Sequence, residues 1–139
     1  MWAQAAAVAI GGAAGSLARW GVSVLLMGRG GGGGDEVGAG LSPFPSATLL
    51  VNVVGCVAIG AAMQVITSRP AGAIDPVLRA GLIAGLLGGL TTFSAFGYEG
   101  FTFLREGRVW MALGVLGLQV GAGVCGVAVG WYGARAIGA

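Results

Sequence analysis

The chain contains no lysine and no histidine; all seven of its basic residues are arginine. Without histidine it lacks the commonest general base and metal ligand near neutral pH. Without lysine it cannot build a GxxxxGK phosphate loop. Charge of either sign is scarce: 9% of residues are charged, where soluble domains carry about 25%. The net charge of +2 is small and scattered, which argues against a nucleic-acid surface. Cysteine is nearly absent. Cys56 and Cys125 sit in separate apolar stretches and form neither a zinc pattern nor a disulfide framework. With no histidine and no acid pair, an enzyme is the least favoured class.

What is abundant is apolar surface and glycine. Of 139 residues, 56% are hydrophobic, 30 are glycine, and the mean hydropathy is +0.90. This composition marks an integral membrane protein. A membrane span takes about 20 mostly apolar residues, and four stretches qualify: roughly 2–27, 46–67, 79–99 and 109–133. The first is too long for a signal peptide and has neither a basic n-region nor a cleavage site, so it reads as a retained span. The expected fold is all-α, a single domain over 1–139 with four transmembrane helices. The glycine-rich, charged run 28–42 is expected to be a flexible loop. "SPFPSA" (42–47) offers Ser46 as an N-cap, and "SRPAGAIDP" (68–76) offers Asp75 as a cap with Pro76 at the first helical position. Inside the spans, glycines recur at four-residue spacing: Gly11/Gly15, Gly81/Gly85/Gly89, Gly117/Gly121 and Gly126/Gly130. Such small-residue stripes let helix backbones approach closely in lipid.

Arginine placement is balanced. Arg69, Arg79 and Arg135 flank one side of a four-span chain, and Arg29, Arg105 and Arg108 flank the other. An arginine bias orients a membrane protein; with none, the chain can insert either way up and pair antiparallel. A tie by chance in a chain with few charges gives the same count.

Polar residues at membrane depth are functional candidates because each is costly unless paired or wetted. Arg19 either snorkels to the interface or lines an aqueous vestibule. Thr48 and Asn52 share one face of the second helix, and Asn52 offers two N–H donors and an acceptor, for an interhelical bond or for a pathway. Gln119 in the fourth span is equally ambiguous, with packing favoured. The stretch "GLLGGLTTFSAFGYEG" (85–100) is the strongest signal. Its paired glycines lower helix propensity, and the Thr91 and Thr92 hydroxyls compete for backbone groups, so the third helix is expected to break in mid-membrane. Broken helices at that depth line a cavity or are buried in protein, and their freed carbonyls can coordinate a cation. Phe93 and Phe96 are neighbours on one face. Their ring edges carry positive charge and can meet a small anion.

These motifs resemble a known family. "GGLTTFSAFGYE" (88–99) is similar to the GGLTTFSTFSxE signature of the CrcB/Fluc fluoride channels, "TLLVNVVG" (48–55) to their TLxVNxxG motif, and "GGAAGSLARW" (11–20) to their GGxxGAxxRY/W start. The resemblance spans three of the four helices. It implies a four-span subunit in an antiparallel, dual-topology dimer that passes F⁻ down its gradient across the cell membrane and relieves fluoride toxicity. It implies a structural Na⁺ at the dimer centre on backbone carbonyls, mapping to Gly88 and Thr91. It implies a pore lined by Asn52, Phe93 and Phe96, with Thr48 and Ser94 beside it and Arg19 at a vestibule; the role of Glu99 is less defined. Ala95 and Gly97 replace hydroxyl residues of the signature, and the fourth span lacks the family's usual Tyr and Ser. A homodimer is preferred, with a heterodimer containing a paralogous subunit open. Two other readings compete: a small four-span drug exporter, for which the first span lacks the required carboxylate, and a non-conducting partner subunit.

Overall fold

The computed structural model describes residues 1–27 and 46–138, with Met27 and Ser46 as backbone only. The glycine-rich connector 28–42, Arg29 and the cap assigned to the Ser46 side chain lie outside the described residues. All regular structure among the described residues is helical. Helix α1 (Trp2–Met27) and α2 (Ser46–Thr67) are followed by α3 (Pro76–Arg79), a π-helical segment (Ala80–Leu87), α4 (Gly88–Leu90), α5 (Phe93–Arg105) and α6 (Val109–Ala136). Trp2–Leu26, Ala47–Thr67, Pro76–Arg105 and Val109–Ala136 are each long and apolar enough to cross a bilayer.

The third helical stretch is longer than 79–99 at both ends because its caps sit outside the apolar run. The Asp75 carboxylate accepts from the Val77 N–H at 2.6 Å, and Pro76 takes the first helical position, where its missing N–H costs nothing. At the far end Arg105 lies in the last turn of α5, where a cation complements the helix dipole. For the same reason α6 extends past 133 to Ala136, with Arg135 in its last turn. Between α3 and α4 the winding widens: the Gly88 N–H reaches back five residues to the Ile83 carbonyl.

Glycine decides which helices touch. Gly11 abuts the Gly81 carbonyl, and Gly15 abuts the Leu86 carbonyl and the Leu90 N–H. Contacts advance together along both chains, so α1 runs parallel to the π-helical segment and α4. Gly126 sits against Val53 and Gly130 against Val57, so α2 and α6 are likewise parallel. In both pairs a glycine on one helix faces backbone on the other, the close approach that dispersion rewards in lipid. Gly117 and Gly121 differ: an added Cβ at either meets nothing within 4 Å among the described residues.

A tight turn with Gly107 at φ 73° joins α5 to α6. There Phe103, Ala112 and Val115 form a small buried cluster with Met111 against it, and the Arg108 guanidinium stacks 4.8 Å from the Phe103 ring centre. Elsewhere large apolar side chains such as Leu25, Trp110 and Val129 point outward, as suits a chain solvated by lipid tails.

Gly130→Val places a side chain into the Val57 carbonyl and the Ala61 N–H. Overpacking of this kind costs roughly 1–3 kcal/mol. Thermal unfolding in detergent is expected to show a clear fall for Gly130→Val and none for Gly21→Ala, which faces open space; equal midpoints would contradict the α2–α6 contact.

Candidate functional site

Two residues interrupt the third helical stretch. Thr91 (φ −85°, ψ 151°) and Thr92 (φ −144°, ψ 124°) are extended between α4 and α5. Extended backbone frees peptide groups from the helical ladder, and among lipid-facing helices each must find another partner. The partners come from α1 and α2.

Asn52 on α2 grips Thr92 from both sides. Its Oδ1 accepts the Thr92 N–H at 2.8 Å, and its Nδ2 donates to the Thr92 carbonyl at 3.1 Å. The carboxamide thus pairs with this peptide as a neighbouring strand does. The Thr92 N–H would bond the Gly88 carbonyl in a continuous helix; here it goes to Asn52. The Gly89 carbonyl, which a continuous helix would give to the Phe93 N–H, accepts the Arg19 Nε at 3.3 Å. Gly55, one turn beyond Asn52, leaves room for the Thr91 methyl group.

The threonine hydroxyls close the rest. Thr91 Oγ1 donates to the Leu87 carbonyl at 3.0 Å. Thr92 Oγ1 accepts the Ala95 N–H at 3.4 Å and so caps α5, with Ser94 Oγ 3.1 Å away. Thr48, one turn before Asn52, donates to Glu99 Oε1. On α6, Gln119 offers Oε1 to Asn52 Nδ2 at 3.4 Å.

An open-sided cavity of about 460 Å³ lies against these groups. Gly88, Thr91, Asn52, Phe93 and Phe96 all line it, together with Gln119. Thr48, Ser94 and Arg19 do not. The rest of the wall is mostly apolar, from residues such as Ile83 and Val124. The two phenylalanine rings meet edge to face, centroids 4.6 Å apart at 84°. Phe93 is 80% exposed in the single chain, so its ring faces whatever surrounds the subunit.

The structure brings Gly88, Thr91, Asn52, Phe93 and Phe96 together at the cavity and adds partners for two further polar residues. Gln119, ambiguous in sequence with packing favoured, is buried against Asn52 across the α2–α6 contact. Glu99 has a defined partner in Thr48. The available signal for Gln119 was its standing as the only strongly polar residue of the fourth span. Among the described residues no three His, Cys, Asp or Glu side chains converge as a metal site, so a cation held here would sit on neutral oxygens. The Gly88 carbonyl, relieved of its helical donor, and Thr91, just past the negative end of α4, fit that donor type.

Asn52→Ala removes both bonds to Thr92. Each buried peptide group left unmet costs about 1–3 kcal/mol. Hydrogen–deuterium exchange over residues 88–96 is expected to quicken in this variant and to stay unchanged in Thr48→Ala, whose bond to Glu99 lies about two turns further along α5.

The chain is similar to known proteins over nearly its whole length. A fluoride-specific ion channel FluC of Solibacter usitatus (strain Ellin6076) is 40% identical over 127 residues, 91% of this chain and 92% of that one. Its counterpart in Pseudomonas paraeruginosa (strain DSM 24068 / PA7) is 37% identical over 132 residues, 95% of this chain and 94% of that one. Another, in Desulfotalea psychrophila (strain LSv54 / DSM 12343), is 36% identical over 91% of this chain and 88% of its own. The family described as CrcB-like protein, Camphor Resistance (CrcB), matches residues 6–131. With four helices of spanning length and this match over nearly its whole length, the chain is a multi-pass cell-membrane protein that belongs to the CrcB-like family.

Proposed function

We propose that this chain forms a channel that passes fluoride down its gradient across the cell membrane and so lowers cytoplasmic fluoride. The observation that carries the reading is near full-length similarity to proteins named fluoride-specific ion channels, joined to a site of neutral donors beside a gap in the third helix. It acts as a conduit and not as an enzyme.

Fluoride is small and tightly hydrated. To cross, it must exchange water for donors of similar strength without being trapped. The carboxamides beside the break, the Thr92 hydroxyl and the phenylalanine edges are neutral, graded groups of that kind, and an arriving anion competes for the Asn52 protons with the Thr92 carbonyl and Gln119. The extended Thr91–Thr92 segment is read as the mid-membrane break, with Phe93 and Phe96 on its rim; Thr48 and Ser94 stand beside that lining, bonded to Glu99 and Thr92. Arg19, bonded to the Gly89 carbonyl, adds positive potential at the mouth without standing in the dry centre.

The subunit is read as half of an antiparallel dual-topology dimer. The exposed Phe93 ring and the open side of the cavity support a second copy there, and balanced arginines support insertion both ways up. At the centre of that dimer, the Gly88 and Thr91 carbonyls of each copy would hold a structural Na⁺. Bound there, the ion would supply a fixed positive field, held by the chain's carbonyls; Asn52 draws off the helical donor of Gly88 and the Thr92 hydroxyl that of Thr91.

The purified protein in liposomes is expected to release F⁻ rapidly, read with a fluoride electrode, with no comparable Cl⁻ release. F⁻ flux only when a paralogous subunit is added would make the channel a heterodimer; no flux in either case would leave the non-conducting partner reading. Phe96→Ile removes the aromatic edge at similar volume and is expected to slow F⁻ efflux about tenfold or more, the factor that about 1.4 kcal/mol carries. An unchanged rate would rule out the aromatic edge as a donor.

A further inference from the structure

Thr91 opens the break, and its side chain is held at two points. Its hydroxyl donates to the Leu87 carbonyl at 3.0 Å, the acceptor that also takes the Thr91 N–H. A β-branched side chain has few χ1 wells, so once the hydroxyl is placed the methyl group has one direction left. That direction leads to Gly55, which is buried on α2. A Cβ added at Gly55 would overlap the Thr91 Cγ2, far inside the spacing two carbons accept. The methyl group therefore fills the space that any other residue at 55 would need for its own Cβ.

The contact bears on one peptide plane. The Thr91 carbonyl and the Thr92 N–H belong to the same planar trans peptide, so they point in opposite directions. Asn52 accepts the N–H and thereby turns the Thr91 carbonyl away from itself. One hydrogen bond leaves that plane free to tilt about the bond. The Thr91 methyl group, seated against Gly55, supplies a second fixed point and removes the tilt. Asn52 and Gly55 are three apart and share a face of α2. That face holds the break twice, with an amide on the backbone and with a missing side chain under Thr91.

We propose that Gly55 is a positioning residue of the pathway: its missing Cβ receives the Thr91 methyl group and so fixes the peptide between Thr91 and Thr92. Its effect on flux rests on the fluoride-channel reading; its effect on the break rests on the contact alone. Helix propensity points the other way, since alanine is favoured over glycine in a helix interior. A loss on Gly55→Ala therefore comes from the contact. Leu90 Cδ2 would lie 3.9 Å from the added Cβ, an ordinary separation, which leaves Thr91 as the group that must yield. Turning Thr91 to another well gives up its bond to Leu87; keeping that bond moves the backbone.

The test combines Gly55→Ala with Thr91→Ser, which keeps the hydroxyl and removes the methyl group. In the full-length protein, hydrogen–deuterium exchange over residues 88–96 is expected to quicken on Gly55→Ala beside Thr91. In the Thr91→Ser chain the same change is expected to alter exchange by less than about twofold, the scale of uncoupled sites. In liposomes Gly55→Ala is expected to cut F⁻ efflux about tenfold or more beside Thr91, and by less than about twofold in the Thr91→Ser chain. Gly60→Ala is the control. It drives a Cβ into the Val127 carbonyl of α6 and is expected to lower the thermal midpoint equally in both chains. Equal effects of Gly55→Ala with Thr91 and with Thr91→Ser, or no effect in either, would overturn the inference: the first is general crowding, the second an idle contact. A chain that conducts no F⁻, with or without a paralogue, defeats the channel reading, and the exchange over 88–96 still decides the Gly55 contact.

Discussion

Inside a bilayer no water is available to satisfy a peptide group, so any departure from helix must be answered by another part of the protein. The extended pair Thr91–Thr92 creates that demand in the third helical stretch, and Asn52 answers it with both ends of its carboxamide. The consequences spread outward. The Gly88 carbonyl loses its helical donor, the Gly89 carbonyl turns to Arg19, and Gln119 is oriented by the nitrogen that Asn52 has left. One side chain thereby links the break to both α2 and α6.

The clasp needs α2 close to the break, and glycine makes that approach possible. Gly55 leaves space for Thr91, while Gly126 and Gly130 bring α6 onto α2 and Gly11 and Gly15 bring α1 onto the third helical stretch. Lipid supplies no hydrophobic drive to gather helices. Backbone proximity, dispersion and a few buried polar bonds hold the subunit together, which is why its buried apolar set is small and its large side chains face outward.

A site built this way suits passage better than capture. Its polar lining consists of amides and hydroxyls beside aromatic rings, each a weaker anion partner than a guanidinium in a dry setting. The arginine nearest the break is engaged with a helix carbonyl and stands outside the cavity wall. Glu99 is tied to Thr48. The groups left to meet an anion are therefore neutral, and favourable contact at each step need not become a trap.

The four spans, the weak point at "GGLTTF", the stripes of small residues and the candidate set of Arg19, Thr48, Asn52, Phe93 and Phe96 were all legible in the amino-acid order. These features depend on local quantities: hydropathy over a window, helix propensity, and which residues share a face. The tertiary structure decided which groups pair. It turned Arg19 toward Gly89, paired Thr48 with Glu99, widened the winding between Ala80 and Leu87, left Gly117 and Gly121 without neighbours among the described residues, and engaged every Asn52 donor. An amide is symmetric in outline but not in chemistry. Which end faces a neighbour depends on the direction of a peptide forty residues away, and spacing along the chain carries no record of that direction.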